Sequence, residues 1–166
     1  MRDVTDKEEH YADALAQGRK RLQERFSPDR VKKLGAEVAG GRKLALPCLC
    51  WEFKIVLEPF SFTLIPGEEP VGERWKVLAL EYLSAEPPAP PGQFCSFAEF
   101  EEARNYVGPF QGRVLRRLTG GIGRNPDDLR DAAEGCGGIA AGSDPVTYFF
   151  KFFPEFDLQL TYQAPS

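Results

Sequence analysis

Few side chains in this sequence can do chemistry, and the types that are missing narrow the field as much as those present. Arg113, Arg116, Arg117 and Arg124 form the best local basic cluster for a binding role. Guanidinium groups three and four residues apart lie on neighbouring positions of a helix, where they could hold a phosphate or a carboxylate. The same spacing suits a solvated helix face balanced by Asp127, Asp128 and Asp131 of the next segment, and that plainer reading is preferred. A carboxylate such as Glu81 or Glu99 could do acid–base chemistry, with the arginines as an anion clamp. The single histidine, His10, falls on the polar side of the first helical stretch, which excludes histidine triads and multi-histidine metal sites. Cys48 and Cys50 are one residue apart, not the usual CxxC spacing, and in a strand they would share a face. They are read as buried or half-buried thiols, with no metal site. The run Thr119-Gly120-Gly121-Ile122-Gly123 is followed by no lysine-serine pair and preceded by no strand, so it reads as a helix stop and not a phosphate loop. No Gly-x-Ser-x-Gly elbow occurs.

A chain of 166 residues, 42% hydrophobic and 28% charged, is sized and composed for one globular domain with its own core. Its net charge of −4 speaks against a general nucleic-acid binder. No apolar run nears the roughly 20 residues of a membrane helix, and the charged start MRDVTDKEEH is unlike a signal peptide. The expected setting is the cytoplasm, without membrane or nucleic-acid partners, with the four cysteines reduced.

The elements that must position these groups follow from periodicity. After a cap at Asp3 or Thr5, residues Tyr11, Leu15, Gly18, Leu22 and Phe26 form one helical stripe, with Arg19, Lys20, Arg21 and Arg25 on the opposite, solvated side. Ser27-Pro28 opens a second short helix that Gly35 closes, so residues 1–35 are N-terminal helices. Residues 36–66 read as a strand meander: Glu37–Ala39, a Gly40-Gly41 turn, 43–46, 50–57 and Phe60–Ile65, with connections too short for parallel crossovers. Residues 70–138 are mainly helical. Val71, Trp75, Leu78, Ala79, Tyr82 and Leu83 form a broad apolar face to lie across the meander, and Pro87 to Gly92 is an extended spacer. Ser96 and Glu99 have the form of a capping box, and a helix from about Gly108 is expected to bury Phe110, Val114, Leu115 and Leu118.

The segment 125–162 anchors the rest. Asn125 caps a helix with Pro126 at its first position, and Gly135, Gly137 and Gly138 end it. A strand pair follows over 146–162. Tyr148, Phe150 and Phe152 alternate with Phe149, Lys151 and Phe153, so both faces carry rings and the strand is expected inside a sheet covered on both sides. The fold class is α+β: a single domain, 1–166, with a mostly antiparallel sheet of about five or six strands and helices packed on it.

The stretches YADALAQGRKRL, LALPCLCWEFKI, WKVLALEYL, CSFAEF, NPDDLRDAAEGCGG and YFFKFFPEFDLQL, in this order, resemble the prokaryotic family of uncharacterised proteins catalogued as domain of unknown function 3786. The most specific parts are 126–138, similar to the family's Asp-Pro-x-x-Leu, Ala-Ala and Gly-Gly pattern, and 152–160, similar to its Phe-Pro strand pair. The resemblance implies no settled activity. It implies a context, since members occur largely in anaerobes and some are joined to a four-cysteine iron-sulfur domain of the kind also seen in corrinoid proteins. Ser96-Phe97-Ala98-Glu99-Phe100-Glu101-Glu102-Ala103 departs from the family's Ser-Phe-Arg-Glu-Leu-Pro-Gly-Gly, and the family tends to continue past the last strand, so a shortened member is expected. No four-cysteine module is present in the sequence, so iron-sulfur binding does not carry over to it.

Two function classes follow. One is a non-catalytic accessory module that binds a cofactor, a corrinoid by family context alone, or a protein partner in a redox or corrinoid system. The other is a small enzyme using carboxylate chemistry with the arginine clamp. The lack of a histidine pair, metal set or nucleophile motif favours the first.

Overall fold

The computed structural model describes residues 4–67, 71–87, 93–122, 125–143 and 146–163. The chain divides into two compact units, one of residues 1–88 with 152–156 and the other of 89–151 with 157–166. Helices and antiparallel sheets together make the α+β class expected from the sequence.

In the first unit, α1 (Val4–Arg25) and α2 (Pro28–Lys33) precede a four-stranded meander, β1 (Glu37–Ala39), β2 (Lys43–Cys48), β3 (Trp51–Leu57) and β4 (Phe60–Ile65), in the order β1-β2-β3-β4. The alternation legible in the sequence is the alternation of burial. Leu44, Leu46 and Cys48 of β2, Phe53, Ile55 and Leu57 of β3 and Phe62 of β4 point to one covered face. On the same core lie Leu22 of α1 and Ala79, Leu80 and Leu83 of α3 (Glu73–Ser84). Each fully buried leucine or phenylalanine there contributes about 1.5–3 kcal/mol of burial. The missing side chain of Gly18 lets α1 approach α3, since a Cβ there would stand 3.2 Å from Leu80 Cβ.

The basic side of α1 is exposed at Lys20, Arg21 and Arg25, as expected, but both of these arginines also reach α3. Arg21 pairs with Glu81, and Arg25 donates to the Ser84 carbonyl at 3.2 Å. Arg30 of α2 donates to the carbonyls of Leu83 and Ala85. These carbonyls close a helix with no basic residue in its own last turn, so the guanidinium groups satisfy the orphan acceptors and oppose the negative helix end. Gly35 takes φ +74 where α2 ends, and a Cβ at that position would meet Pro154 at 2.2 Å. Tyr82 stacks on Phe153, ring centroids 4.4 Å apart, and its hydroxyl donates to the Leu34 carbonyl at 2.7 Å while accepting from the Glu155 amide at 3.0 Å.

Cys48 and Cys50 do not share a strand. Cys48 ends β2 and is 1% exposed, whereas Leu49 (φ 55) and Cys50 form the two-residue turn into β3, with Cys48 paired to Trp51. The turn rotates the second thiol out to solvent. Leu49 holds the left-handed conformation with its amide donating to the Phe152 carbonyl at 3.2 Å.

The second unit holds two 3-10 turns (Phe97–Glu99 and Glu101–Tyr106), a helical run over 107–122, α6 (Pro126–Gly135) and most of the three-stranded sheet β5-β6-β7, whose residues 152–156 belong to the first unit. These strands are β5 (Ile139–Ser143), β6 (Val146–Phe153) and β7 (Phe156–Tyr162). Strand β6 is interior, as its two apolar faces predict. Among the described residues, however, seven strands form two sheets, not one sheet of five or six. Periodicity marks strands one at a time, whereas sheet membership depends on which partner supplies the register. Strand β5 was not expected because Ile-Ala-Ala-Gly-Ser carries neither alternation nor β-branched bulk beyond Ile139. Leu129, Ala133 and Tyr148 are the buried centre, flanked by half-buried Ile122, Phe150, Leu160 and Tyr162. After α6, the Gly138 amide reaches back to the Ala133 carbonyl at 2.8 Å with Gly137 at φ +80, the glycine closure anticipated there. The Pro88 to Gly92 part of the proline spacer lies outside the described residues.

Candidate functional site

The helical run over 107–122 carries the arginines, and it is not a uniform helix. α4 (Val107–Phe110) passes into a π-helical turn (Gln111–Leu115) and then α5 (Arg116–Ile122). Phe97, placed by the Ser96–Glu99 capping box, stacks on Phe110 with centroids 4.3 Å apart and meets Tyr106 edge-on at 6.3 Å. The Tyr106 hydroxyl in turn accepts a long hydrogen bond from Arg113 at 3.5 Å.

The π turn overturns one expectation. Phe110, Val114, Leu115 and Leu118 were expected on a buried stripe, but only Phe110 is half-buried. Val114, Leu115 and Leu118 are 38%, 42% and 37% exposed. An inserted residue advances everything after it by about 100° around the axis, so a stripe counted at the α-helical period leaves the covered side. The glycine run holds the end of α5, at Ile122, as expected of a helix stop, although Gly120 and Gly121 still lie inside the helix; the Thr119 hydroxyl donates back to the carbonyls of Leu115 and Arg116.

Arg113 sits in the π turn, and Arg116 and Arg117 open α5. All three are exposed, beside the uncovered Val114, Leu115 and Leu118. Arg124 lies outside the described residues. Two of the three acidic residues expected to balance the cluster are engaged at the start of α6: Asp127 pairs with Arg130 at 2.6 Å, and Asp128 accepts from the Asn125 side chain at 3.1 Å. There they complement the positive end of their own helix. Among the described residues no carboxylate pairs with Arg113, Arg116 or Arg117.

The two candidate carboxylates have structural partners. Glu81 is ion-paired to Arg21, and Glu99 accepts from the Ser96 amide in the capping box. That amide, with the Ser96 hydroxyl, holds the Glu99 carboxyl below its ordinary range, the opposite of what a general acid at neutral pH needs. Burial pushes the Cys48 thiol up to about 12, with Cys50 adding to the shift, so Cys48 stays protonated and unreactive. Among the described residues no group of three or more histidine, cysteine or carboxylate side chains could hold a metal ion, and no helix is long and apolar enough to cross a membrane. Sequence reasoning missed the exposed apolar residues beside the arginines. The only signal for them was the apolar stripe itself, which reads the same whether covered or bare.

A protein-family model described as a domain of unknown function, DUF3786, matches residues 27–166. No curated protein and no solved structure matches the chain.

Proposed function

The chain belongs to this family of unknown function, DUF3786, and from that premise we propose that it is a non-catalytic accessory module that holds an acidic partner protein. One observation carries this reading: Arg113, Arg116 and Arg117, unpaired with any described carboxylate, flank the exposed Val114, Leu115 and Leu118 on one helical run. Apolar side chains ringed by arginine match the composition of protein interfaces, in which arginine is enriched and lysine depleted. A π turn inside a helix is also a frequent mark of a functional segment. The positive rim selects a partner with carboxylates around an apolar centre, and the attraction raises the rate of encounter. The setting, an anaerobic iron-sulfur or corrinoid system, rests on the family resemblance alone. The carboxylate-enzyme alternative is weaker because Glu81 and Glu99 already serve an ion pair and a helix cap.

Native mass spectrometry with an absorption spectrum, on protein isolated without air, tests this. The expected result is a stoichiometric acidic protein in the complex and a colourless module once it is removed. A corrin or iron-sulfur chromophore that stays with the isolated chain would overturn it in favour of cofactor binding.

A further inference from the structure

In the sheet β5-β6-β7, each outer strand has one edge unpaired among the described residues. Such an edge is a row of main-chain donors and acceptors ready to pair with another strand. The two edges differ. β5 is short, made mostly of small residues, and broken by a register shift between Ala140 and Gly142, which blunts it. β7 runs Phe156-Asp157-Leu158-Gln159-Leu160-Thr161-Tyr162 with no proline, lysine or arginine, and all of its residues except the half-buried Leu160 and Tyr162 are exposed.

The chemistry of β7 reads alike in both directions from Gln159: leucines at 158 and 160, small polar side chains at 157 and 161, aromatics at 156 and 162. We propose that two copies of this chain associate edge to edge through β7, antiparallel, with the two-fold axis at Gln159, joining their sheets into one. In this register Leu158 faces Leu160 of the second copy, Phe156 faces Tyr162, and the Gln159 amides face each other, so one set of contacts is made twice, as a two-fold interface requires. Asp157, held within the chain by Lys151 at 2.8 Å, lies across from Thr161, and the two Asp157 carboxylates are kept apart. A slip of one residue would set Asp157 against Leu160 and Phe156 against Thr161, so the pattern specifies its own register. A single strand pair is a small interface, so the association is reversible and weak.

Sedimentation equilibrium of the full chain over the micromolar range tests this with wild type, Q159K, Q159E and an equimolar mixture of the two variants. Gln159 is exposed, and equal melting temperatures show that the variants stay folded. Wild type is expected to dimerise. Each variant should be weaker by roughly ten-fold or more, because like charges meet on the axis, and the mixture should associate more tightly than either variant alone. A wild type that is monomeric throughout would overturn the proposal. So would a dimer that neither charge weakens, or a mixture no tighter than its components.

Discussion

Tyr82 binds three parts of the first unit through one hydroxyl, which serves both the Leu34 carbonyl and the Glu155 amide. Tyr82→Phe keeps the ring on Phe153 but leaves both main-chain groups without that partner, and it should cost about 1–3 kcal/mol in chemical denaturation. Burial pushes this phenol above its ordinary value of 10.0, reinforced by the Glu155 carboxylate and opposed by its amide. Its stabilising effect is therefore complete below pH 10.0 and lost as pH rises through the folded value, because the unfolded chain gives up the proton first. Stability of Tyr82→Phe should fall less steeply over that alkaline window. The sequence shows Tyr82 only as part of an apolar stripe; its partners lie 48 and 73 residues away, beyond any local pattern. The cysteines divide similarly. The expectation of buried or half-buried thiols holds for Cys48 and fails for the exposed Cys50, because the turn that separates them depends on Leu49 accepting a positive φ, which no leucine advertises. Cys48→Ser buries a hydroxyl and should cost about 1–3 kcal/mol, whereas Cys50→Ser should change stability by less than about 0.5 kcal/mol. A thiol reagent should label Cys50 in the folded protein and reach Cys48 only on unfolding. Equal labelling rates would place both thiols on the surface.

The elements were legible wherever a local rule decides them. The meander follows from alternation and glycine turns, α6 from Asn125-Pro126 at one end and Gly137-Gly138 at the other. The glycine run marks where α5 ends but not to the residue: Gly120 and Gly121 still lie within the helix, and a Cβ at either would meet nothing within 4 Å. Neither has a positive φ, so alanine is compatible with the backbone and reduces the freedom of the unfolded chain. The double variant G120A/G121A should be more stable by about 1–2 kcal/mol, with more helical signal in circular dichroism. A loss of stability would mean that these glycines take some other conformation. The π turn is a harder case, because an insertion of one residue leaves no mark in composition and shifts only the face on which later side chains emerge.

At the scale of the whole molecule, the two units differ in the size of their buried clusters. The first packs leucine, isoleucine and phenylalanine from helices and sheet into one cluster. The second has a buried centre of Leu129, Ala133 and Tyr148 and leaves Val114, Leu115 and Leu118 uncovered beside three arginines. Trp75 and Leu78 of α3 in the first unit are as exposed, so bare apolar residues alone do not mark the site; their place beside three arginines without a described carboxylate partner is the reason to assign binding to the helical run. The most direct test compares wild type with R113Q/R116Q/R117Q for melting temperature and for affinity toward the co-isolated acidic partner at low and physiological salt. Exposed charges add little to stability, at most about 1 kcal/mol per pair, so the melting temperatures should nearly coincide. The affinity of wild type should fall with salt and that of the variant should be low throughout. Equal, salt-insensitive affinities in the two proteins would contradict the assignment and leave the arginines as a solvated helix face.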